Sequence, residues 1–294
     1  MKQITIISGK GGTGKTVIAA SLAALAKNAG FADCDVDAAD LHLLLNPEIK
    51  ERHEFKSGLT AFINKELCTN CGKCREICRF SAISGPTSGG DIVNGDFKVD
   101  DISCEGCAFC SFICPADAIE MKEEVCGEWF ISETRFGPLV HAKLGIAKEN
   151  SGKLVSLVRQ KAKEVAKNKG YEWIIIDGSP GTGCPVIASI TEVDCALVVT
   201  EPTLSGLHDA DRVIKVASHF KVPVKLVINK YDLNEEMAEK IERYCKQNNI
   251  EVIGKIPFDR LVVEAMVNGK TIIEYASNKV TECISGIWES LKKV

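Results

Sequence analysis

Residues 9–16 read GKGGTGKT, with the spacing G-x-x-x-x-G-K-[ST]. They follow a short apolar, β-branched run, ITIIS (residues 4–8), and open an Ala/Leu-rich stretch. A strand that turns through glycines straight into a helix aims backbone N–H groups and the positive end of the helix at one point. Phosphate oxygens bind at such a point. The candidate binding residues are Gly9, Lys10, Gly11, Gly12, Thr13, Gly14, Lys15 and Thr16. The spacing assigns Lys15 to the β- and γ-phosphates of a nucleoside triphosphate and Thr16 to Mg²⁺.

The chain around this loop alternates. A helix is predicted over 13–30, stopped by Gly30, and a short strand over 31–40 that ends in acids. From 151 onward the pattern is regular: helix 151–170, strand 172–177, loop 178–185 into a short helix, and strand 195–200. Helix 205–219, strand 224–229, helix 234–247, strand 251–256 and C-terminal helices complete it. Strands that are apolar throughout and alternate with helices imply a doubly wound, mostly parallel α/β sheet of the P-loop NTPase type. The apolar run before Asp33 is short, so the sheet is expected to be locally weak there. Asp177 ends the strand IIID and is the candidate for the Mg²⁺ hydration shell. Asp33, Asp35 and Asp37 all lie in DCDVD; Asp35 is placed first among them to orient the attacking water. Asn229 and Lys230 sit at the carboxyl end of another strand, where ligands of open α/β sheets bind, and Asn229 suits a purine edge.

Two sixteen-residue stretches interrupt the alternation: CTNCGKCREICRFSAI from Cys68 and CEGCAFCSFICPADAI from Cys104. Each holds four cysteines spaced C-x2-C-x2-C-x3-C, which makes them an internal repeat. This spacing suits two 4Fe-4S clusters, three ligands coming from one run and the fourth from the other. Cys68, Cys71, Cys74 and Cys114 are the ligands of one cluster, and Cys78, Cys104, Cys107 and Cys110 of the second. Four-cysteine zinc sites also use C-x2-C pairs, but eight thiolates in two such runs fit zinc poorly. Arg79 follows the last cysteine of the first copy, where the second copy has Pro115; it is expected to alter a cluster potential. The repeat reads as a small domain over 61–121 inserted into a larger one made of 1–60 and 122–294. Between 122 and 150, EWFIS reads as a strand and TRFGPLVHAKLG as irregular. Of the 14 cysteines, Cys34, Cys126, Cys195, Cys245 and Cys283 follow no ligand spacing and read as packing residues.

Formal net charge is −4, which gives no general nucleic-acid footprint. No apolar run reaches the length of a membrane span, and the start lacks a secretory pattern, so stable membrane insertion is not expected and the chain reads as cytoplasmic. Ile284, Ile287, Trp288 and Leu291 share one face of the last helix, a stripe that reads as core-facing. His208 reads as a helix cap.

Lys10 within KGGTGKT, the acids of DCDVDAADLHLLL, the loop DGSPGTGCP, and the segments TEPTLSGLHDADRV and INKYDLN together resemble the MinD/ParA family of P-loop ATPases. The resemblance implies an ATP-dependent homodimer with ATP held between subunits and Lys10 contacting phosphate across the interface. The quartets resemble a bacterial ferredoxin of small α+β fold, and the combination resembles the ferredoxin-containing MinD-superfamily ATPases. It implies ATP, Mg²⁺ and two 4Fe-4S clusters as cofactors, and Lys10, Lys15 and Asp35 as catalytic residues. The function implied is ATP-gated electron transfer to an unidentified partner protein. The alternatives are assembly or delivery of iron–sulfur clusters to an acceptor, as in Mrp-like carriers, and intracellular positioning, as in MinD and ParA. Cys184 in the second switch loop has two readings, a ligand shared across a dimer as in the nitrogenase iron protein, or a small helix-start residue, which is favoured.

Overall fold

In the computed structural model the described residues are 1–85, 96–145 and 151–294, with backbone alone at 87–88 and 91–92. The chain runs β1 (Lys2–Ser8), α1 (Lys15–Leu25), β2 (Ala29–Asp33), α2 (Leu41–Leu45) and β3 (Glu48–Ile63). It continues through α3 (Lys73–Ile77), β4 (Ile83–Ser84), β5 (Thr87–Ser88), β6 (Asp91–Ile92), β7 (Lys98–Val99) and α4 (Phe109–Ile113). Next come β8 (Ile119–Thr134), β9 (Gly137–Leu144), α5 (Ser151–Asn168), β10 (Trp173–Pro180), α6 (Cys184–Ile190) and β11 (Cys195–Thr200). Last are α7 (Leu204–His219), β12 (Val224–Asn229), α8 (Glu235–Gln247), β13 (Glu251–Ile256), α9 (Arg260–Val267), α10 (Ile272–Tyr275) and α11 (Lys279–Leu291). Two compact units result: Met1–His53 with Trp129–Lys143 and Ser151–Val294, and Glu54–Glu128 with Leu144–Asn150.

The sheet order is β13-β12-β11-β1-β10-β2-β9-β8-β3. Every pairing from β13 to β9 is parallel. Parallel strands need both faces covered, and the side chains of β1 show how. Ile4 and Ile6 join the core formed with α1, α10 and α11. Thr5, on the opposite face of the pleat, donates its hydroxyl to the Ser189 carbonyl of α6 at 2.8 Å. The apolar stripe of α11 is core: Ile284, Ile287, Trp288 and Leu291 are buried, and Trp288 packs edge-on against Trp173 with ring centroids 5.3 Å apart.

Three local expectations change. The first helix ends at Leu25, and Gly30 lies inside β2. Asn28, at φ 54°, makes the turn instead, while Gly30 faces Ala166, to whose Cβ an added methyl would come within 3.4 Å. The sheet is not interrupted near Asp33, because all five residues of β2 are buried and the strand pairs with β10 on one side and β9 on the other. TRFGPLVHAKLG is not irregular: Arg135 and Phe136 form the turn between β8 and β9. Residues 146–150 lie outside the described residues.

Trp288→Ala is expected to lower stability by about 3–5 kcal/mol, the ordinary cost of emptying a buried Trp site. Chemical denaturation checks it; a loss under about 1 kcal/mol would mean that the face is not core.

Candidate functional site

The glycine loop joins β1 to α1, and α1 begins without a side-chain cap. Its N-cap is Gly14 at φ 89°, where a Cβ would lie 2.3 Å from Asn229 Nδ2. The first N–H groups of α1 are therefore left to a ligand. Beside them opens a cavity of about 410 Å³ that Gly11, Gly12, Thr13, Gly14, Lys15 and Thr16 help to line.

Lys15 is the electrostatic centre. Its ammonium is 2.6 Å from Asp177 Oδ1 and 3.3 Å from Asp35 Oδ2. Burial works against that charge, but Asp177 and Asp35 outweigh it and hold the lysine above its ordinary pKa. Burial pushes both Asp33 and Asp35 upward, Lys15 opposes, and Asp177 adds to the rise. Of the four buried side-chain polar atoms without a partner among the described residues, two, Thr13 Oγ1 and Asp177 Oδ2, lie here. A buried carboxylate oxygen and a hydroxyl left unpaired beside a phosphate-type loop fit a hydrated Mg²⁺ and a phosphate.

The three acids of DCDVD separate by role. Asp33 is fully buried; it accepts the Asp35 N–H at 3.1 Å and the Leu41 N–H at 3.2 Å. It thereby shapes the loop between β2 and α2. Asp35 reaches the cavity and Asp37 does not line it. Gly9 and Lys10 also lie off the cavity wall. Gly9 is instead a contact position, since a Cβ there would lie 2.4 Å from the backbone of Asp209 on α7. Lys10 Nζ donates to Ser205 Oγ at 3.1 Å and is a third exposed. Asn229 donates to the Thr13 carbonyl at 2.8 Å and accepts the Lys230 N–H at 3.1 Å, so its amide braces the glycine loop. An amide nitrogen and oxygen each retain a second hydrogen-bonding position. Lys230 pairs with Glu201 at 2.6 Å. His208 is not a cap: Thr203 caps α7 by accepting the Gly206 N–H.

The sequence reading missed the apolar wall. Pro257, Phe258, Val262, Val263 and Met266, from the end of β13 and from α9, line the same cavity. The signal was present in IPFD, a Pro-Phe pair directly after a predicted strand. An apolar wall opposite a phosphate loop suits a planar base.

The second unit is built from the cysteine repeat. Equivalent residues lie 36 apart, as Cys68 and Cys104 do. The backbone repeats too. Asn70 and Gly106, Gly72 and Ala108, and Ser81 and Asp117 are equivalent pairs, and all six have positive φ. Five-residue helices α3 and α4 carry the third cysteine of each run, and Cys78 and Cys114 are their C-caps. Asn64 N–H donates to the Ala118 carbonyl at 2.8 Å, and Asp100 N–H to the Ala82 carbonyl at 2.7 Å. These two bonds are one bond related by the repeat, and each crosses from one copy to the other.

The crossing brings the quartets together in mixed sets. One cavity, of about 410 Å³, is lined by Cys78 with Cys104, Cys107 and Cys110. Another, of about 20 Å³, is lined by Cys68, Cys71 and Cys74 with Cys114. Burial pushes the Cys74 thiol up to about 11, with Cys68 and Cys71 adding to the rise; burial also raises Cys110, with Cys104 and Cys107 adding. Among the described residues, no three His, Cys, Asp or Glu side chains are grouped closely enough to hold a single metal ion. Arg79 lines the larger cavity and Pro115 the smaller. Of the remaining cysteines, Cys34, Cys126, Cys195 and Cys245 are buried, Cys283 is half-buried, and Cys184 is exposed at the start of α6.

A glycine loop between a buried parallel strand and a helix, with its lysine held by Asp177 and Asp35, defines a P-loop nucleotide-binding fold. Residues 4–272 match the CobQ/CobB/MinD/ParA nucleotide binding domain, and the chain belongs to that family. An uncharacterized protein of Methanocaldococcus jannaschii is 36% identical over 295 residues, covering 99% of this chain and 96% of its own length. The septum site-determining protein MinD of Neisseria meningitidis is 24% identical over 298 residues, covering 97% and 89%. An iron-sulfur cluster carrier protein of Pyrococcus furiosus is 27% identical over 134 residues, 41% of this chain and 45% of its own. Among solved structures, MinD of Pyrococcus horikoshii complexed with Mg-ADP superposes with a TM-score of 0.59 at 17% identity, covering 99% and 96%. That likeness is one of fold.

Removing the Lys15 cation leaves buried carboxylates facing one another. Lys15→Met is expected to cost about 3–5 kcal/mol at neutral pH. In the nucleotide-free chain, stability falls as pH rises from the ordinary aspartate value of 3.8 through the raised values of Asp33 and Asp35. The folded state holds protons that the unfolded chain has released. Lys15→Met steepens that fall; urea denaturation at stepped pH, giving equal slopes for the two proteins, would refute it.

Proposed function

We propose that the chain is an ATP-dependent switch coupled to two 4Fe-4S clusters and that it passes electrons to a partner protein. The observation that carries this is the mixed lining of the two cysteine cavities. Each cavity draws three cysteines from one copy and the fourth from the other, the combination that paired cubanes require. Cys68, Cys71, Cys74 and Cys114 would hold one cluster; Cys78, Cys104, Cys107 and Cys110 would hold the other. Bound clusters supply one-electron transfer at low potential. The residues 61–121 then form an inserted ferredoxin-like domain within an ATPase made of 1–60 and 122–294.

On the nucleotide side, Gly11 to Gly14 and the start of α1 bind phosphate through backbone N–H groups. Thr16 and Asp177 hold Mg²⁺ and its water. Lys15 turns from Asp177 and Asp35 to the β- and γ-phosphates, which frees Asp35 to orient the attacking water. Lys10, a third exposed, is held by Ser205 at 3.1 Å and more loosely by Glu201 at 3.9 Å; in an ATP-dependent homodimer it would leave both to reach phosphate on a second copy. Asn229 and Lys230, with the Phe258 wall, contribute to the base side. Hydrolysis is Mg²⁺-dependent and slow without a partner.

Anaerobically purified protein is expected to carry about eight iron atoms per chain. Cys71→Ser and Cys107→Ser should each remove about half of them while leaving ATP binding intact. Colourless, iron-poor protein would overturn the reading. Mixing loaded protein with a redox acceptor and with apo-ferredoxin, each with and without ATP, separates the functions. Electrons leaving with iron retained supports transfer. Iron leaving supports the carrier alternative.

A further inference from the structure

The segment ETRFGPLV carries a residue that the nucleotide reading does not use. Arg135 stands at the turn that ends β8, and its guanidinium makes four bonds within the first unit. Nη1 donates to the Leu45 carbonyl at 2.8 Å and Nη2 to the Leu44 carbonyl at 2.8 Å. Nε and Nη2 donate to the two oxygens of Glu274 at 2.6 and 2.7 Å. A planar fork with five N–H donors suits this double duty, and lysine cannot reproduce it.

Each end of that clamp is tied to the nucleotide cavity. Leu44 and Leu45 close α2, whose first N–H, at Leu41, is held by Asp33. The same Asp33 holds the N–H of Asp35, and Asp35 contacts Lys15. The α2 helix is therefore the far end of the loop that places Asp35. Glu274 belongs to the capping box of α10. Against the effect of its burial, Arg135 and Thr271 hold its carboxyl down to about 2, so the ion pair stays charged at neutral pH. The α10 helix packs on α1 and directly follows α9, and α9 gives Val262, Val263 and Met266 to the cavity wall. A Cβ on Gly269, in the α9–α10 connection, would lie 3.6 Å from the Leu43 carbonyl. Arg135 thus fastens the Asp35 loop to the wall opposite it.

Chain connectivity gives this position a second meaning. The chain enters the cysteine unit along β3, which starts at Glu48, directly after the α2 C-cap Asn46. It returns along β8, which ends at Thr134, next to Arg135. Both strands therefore terminate on α2, one by covalent continuity and the other through the Arg135 fork.

We propose that Arg135 is a positioning residue that ties α2, and through it the Asp35 loop, to the two strands leading into the cysteine unit, so that nucleotide occupancy is transmitted along them. The proposal rests on the nucleotide reading of the cavity but not on the cysteines holding iron.

Hydrogen–deuterium exchange of the full chain, with and without AMP-PNP and Mg²⁺, tests it, alongside calorimetric titration of the same ligand. In the wild type, AMP-PNP is expected to change exchange in residues 11–18, 48–63 and 119–134. In Arg135→Met, affinity should stay within about threefold and residues 11–18 should respond as before, while the response in the two strands drops about fivefold or more. Glu274→Gln keeps the bonds to the carbonyls but weakens the hold on α10, so it should give a partial loss. It also serves if Arg135→Met fails to fold. A wild type that binds AMP-PNP without any change in the two strands overturns the inference alone, as do variants that respond like the wild type. A wild type that binds no AMP-PNP overturns the nucleotide reading and this inference together.

Discussion

The first unit depends on one buried cation. Lys15 sits among Asp177, Asp35 and Asp33: Asp33 ends β2, Asp35 lies two residues past it, and Asp177 lies within the adjacent strand β10. Each strand is there for apolar burial, yet it must also place a charge next to other charges of the same sign. A single ammonium at 2.6 and 3.3 Å from two of them makes the cluster tolerable. The same contacts hold the lysine beside the glycine loop, where the proposed function would bring phosphate oxygens. This arrangement satisfies the ammonium. Thr13 Oγ1 and Asp177 Oδ2 are the atoms it leaves without partners.

The second unit solves a different problem. It has a small core, Ala61, Ile63, Cys74, Ile83, Phe97 and Ile119 with cysteines packed against it. So few apolar groups cannot order a unit of this size alone. Backbone repetition and crossed hydrogen bonds link its two copies. The copies have nevertheless diverged at the surface. Lys73 and Glu76 in the first stand where the second has Phe109 and Phe112, and both phenylalanines are exposed.

Much of this was legible in the residues. The runs at 195–200, 224–229 and 251–256 are strands because they are apolar and short enough to cross a buried sheet, and the structure starts and stops them at the same residues. The glycine loop was legible because its function requires a fixed spacing. What failed has physical causes. Gly30 looked like a helix stop, but Asn28 took the left-handed turn and Gly30 went into a strand to let α5 approach. The β3 strand was invisible because its first seven side chains are all exposed and five of them are Glu, Lys or Arg, so no alternation marks its first half. The β8–β9 hairpin was hidden by Gly127 and by glutamates on β8. The sequence placed Asp35 first among the three acids, but the separate task of Asp33 could not be read from it. Burial and two backbone N–H groups separate Asp33 from Asp35, and neither leaves a trace in composition.

The mixed lining of the cysteine cavities has a consequence for how this unit can change. Neither copy owns a cavity, since each needs a sulfur lent by the other. Deleting one copy would not leave a half-sized version with one intact pocket; it would leave two broken ones. Reciprocal lending makes the pair indivisible as a source of these two pockets.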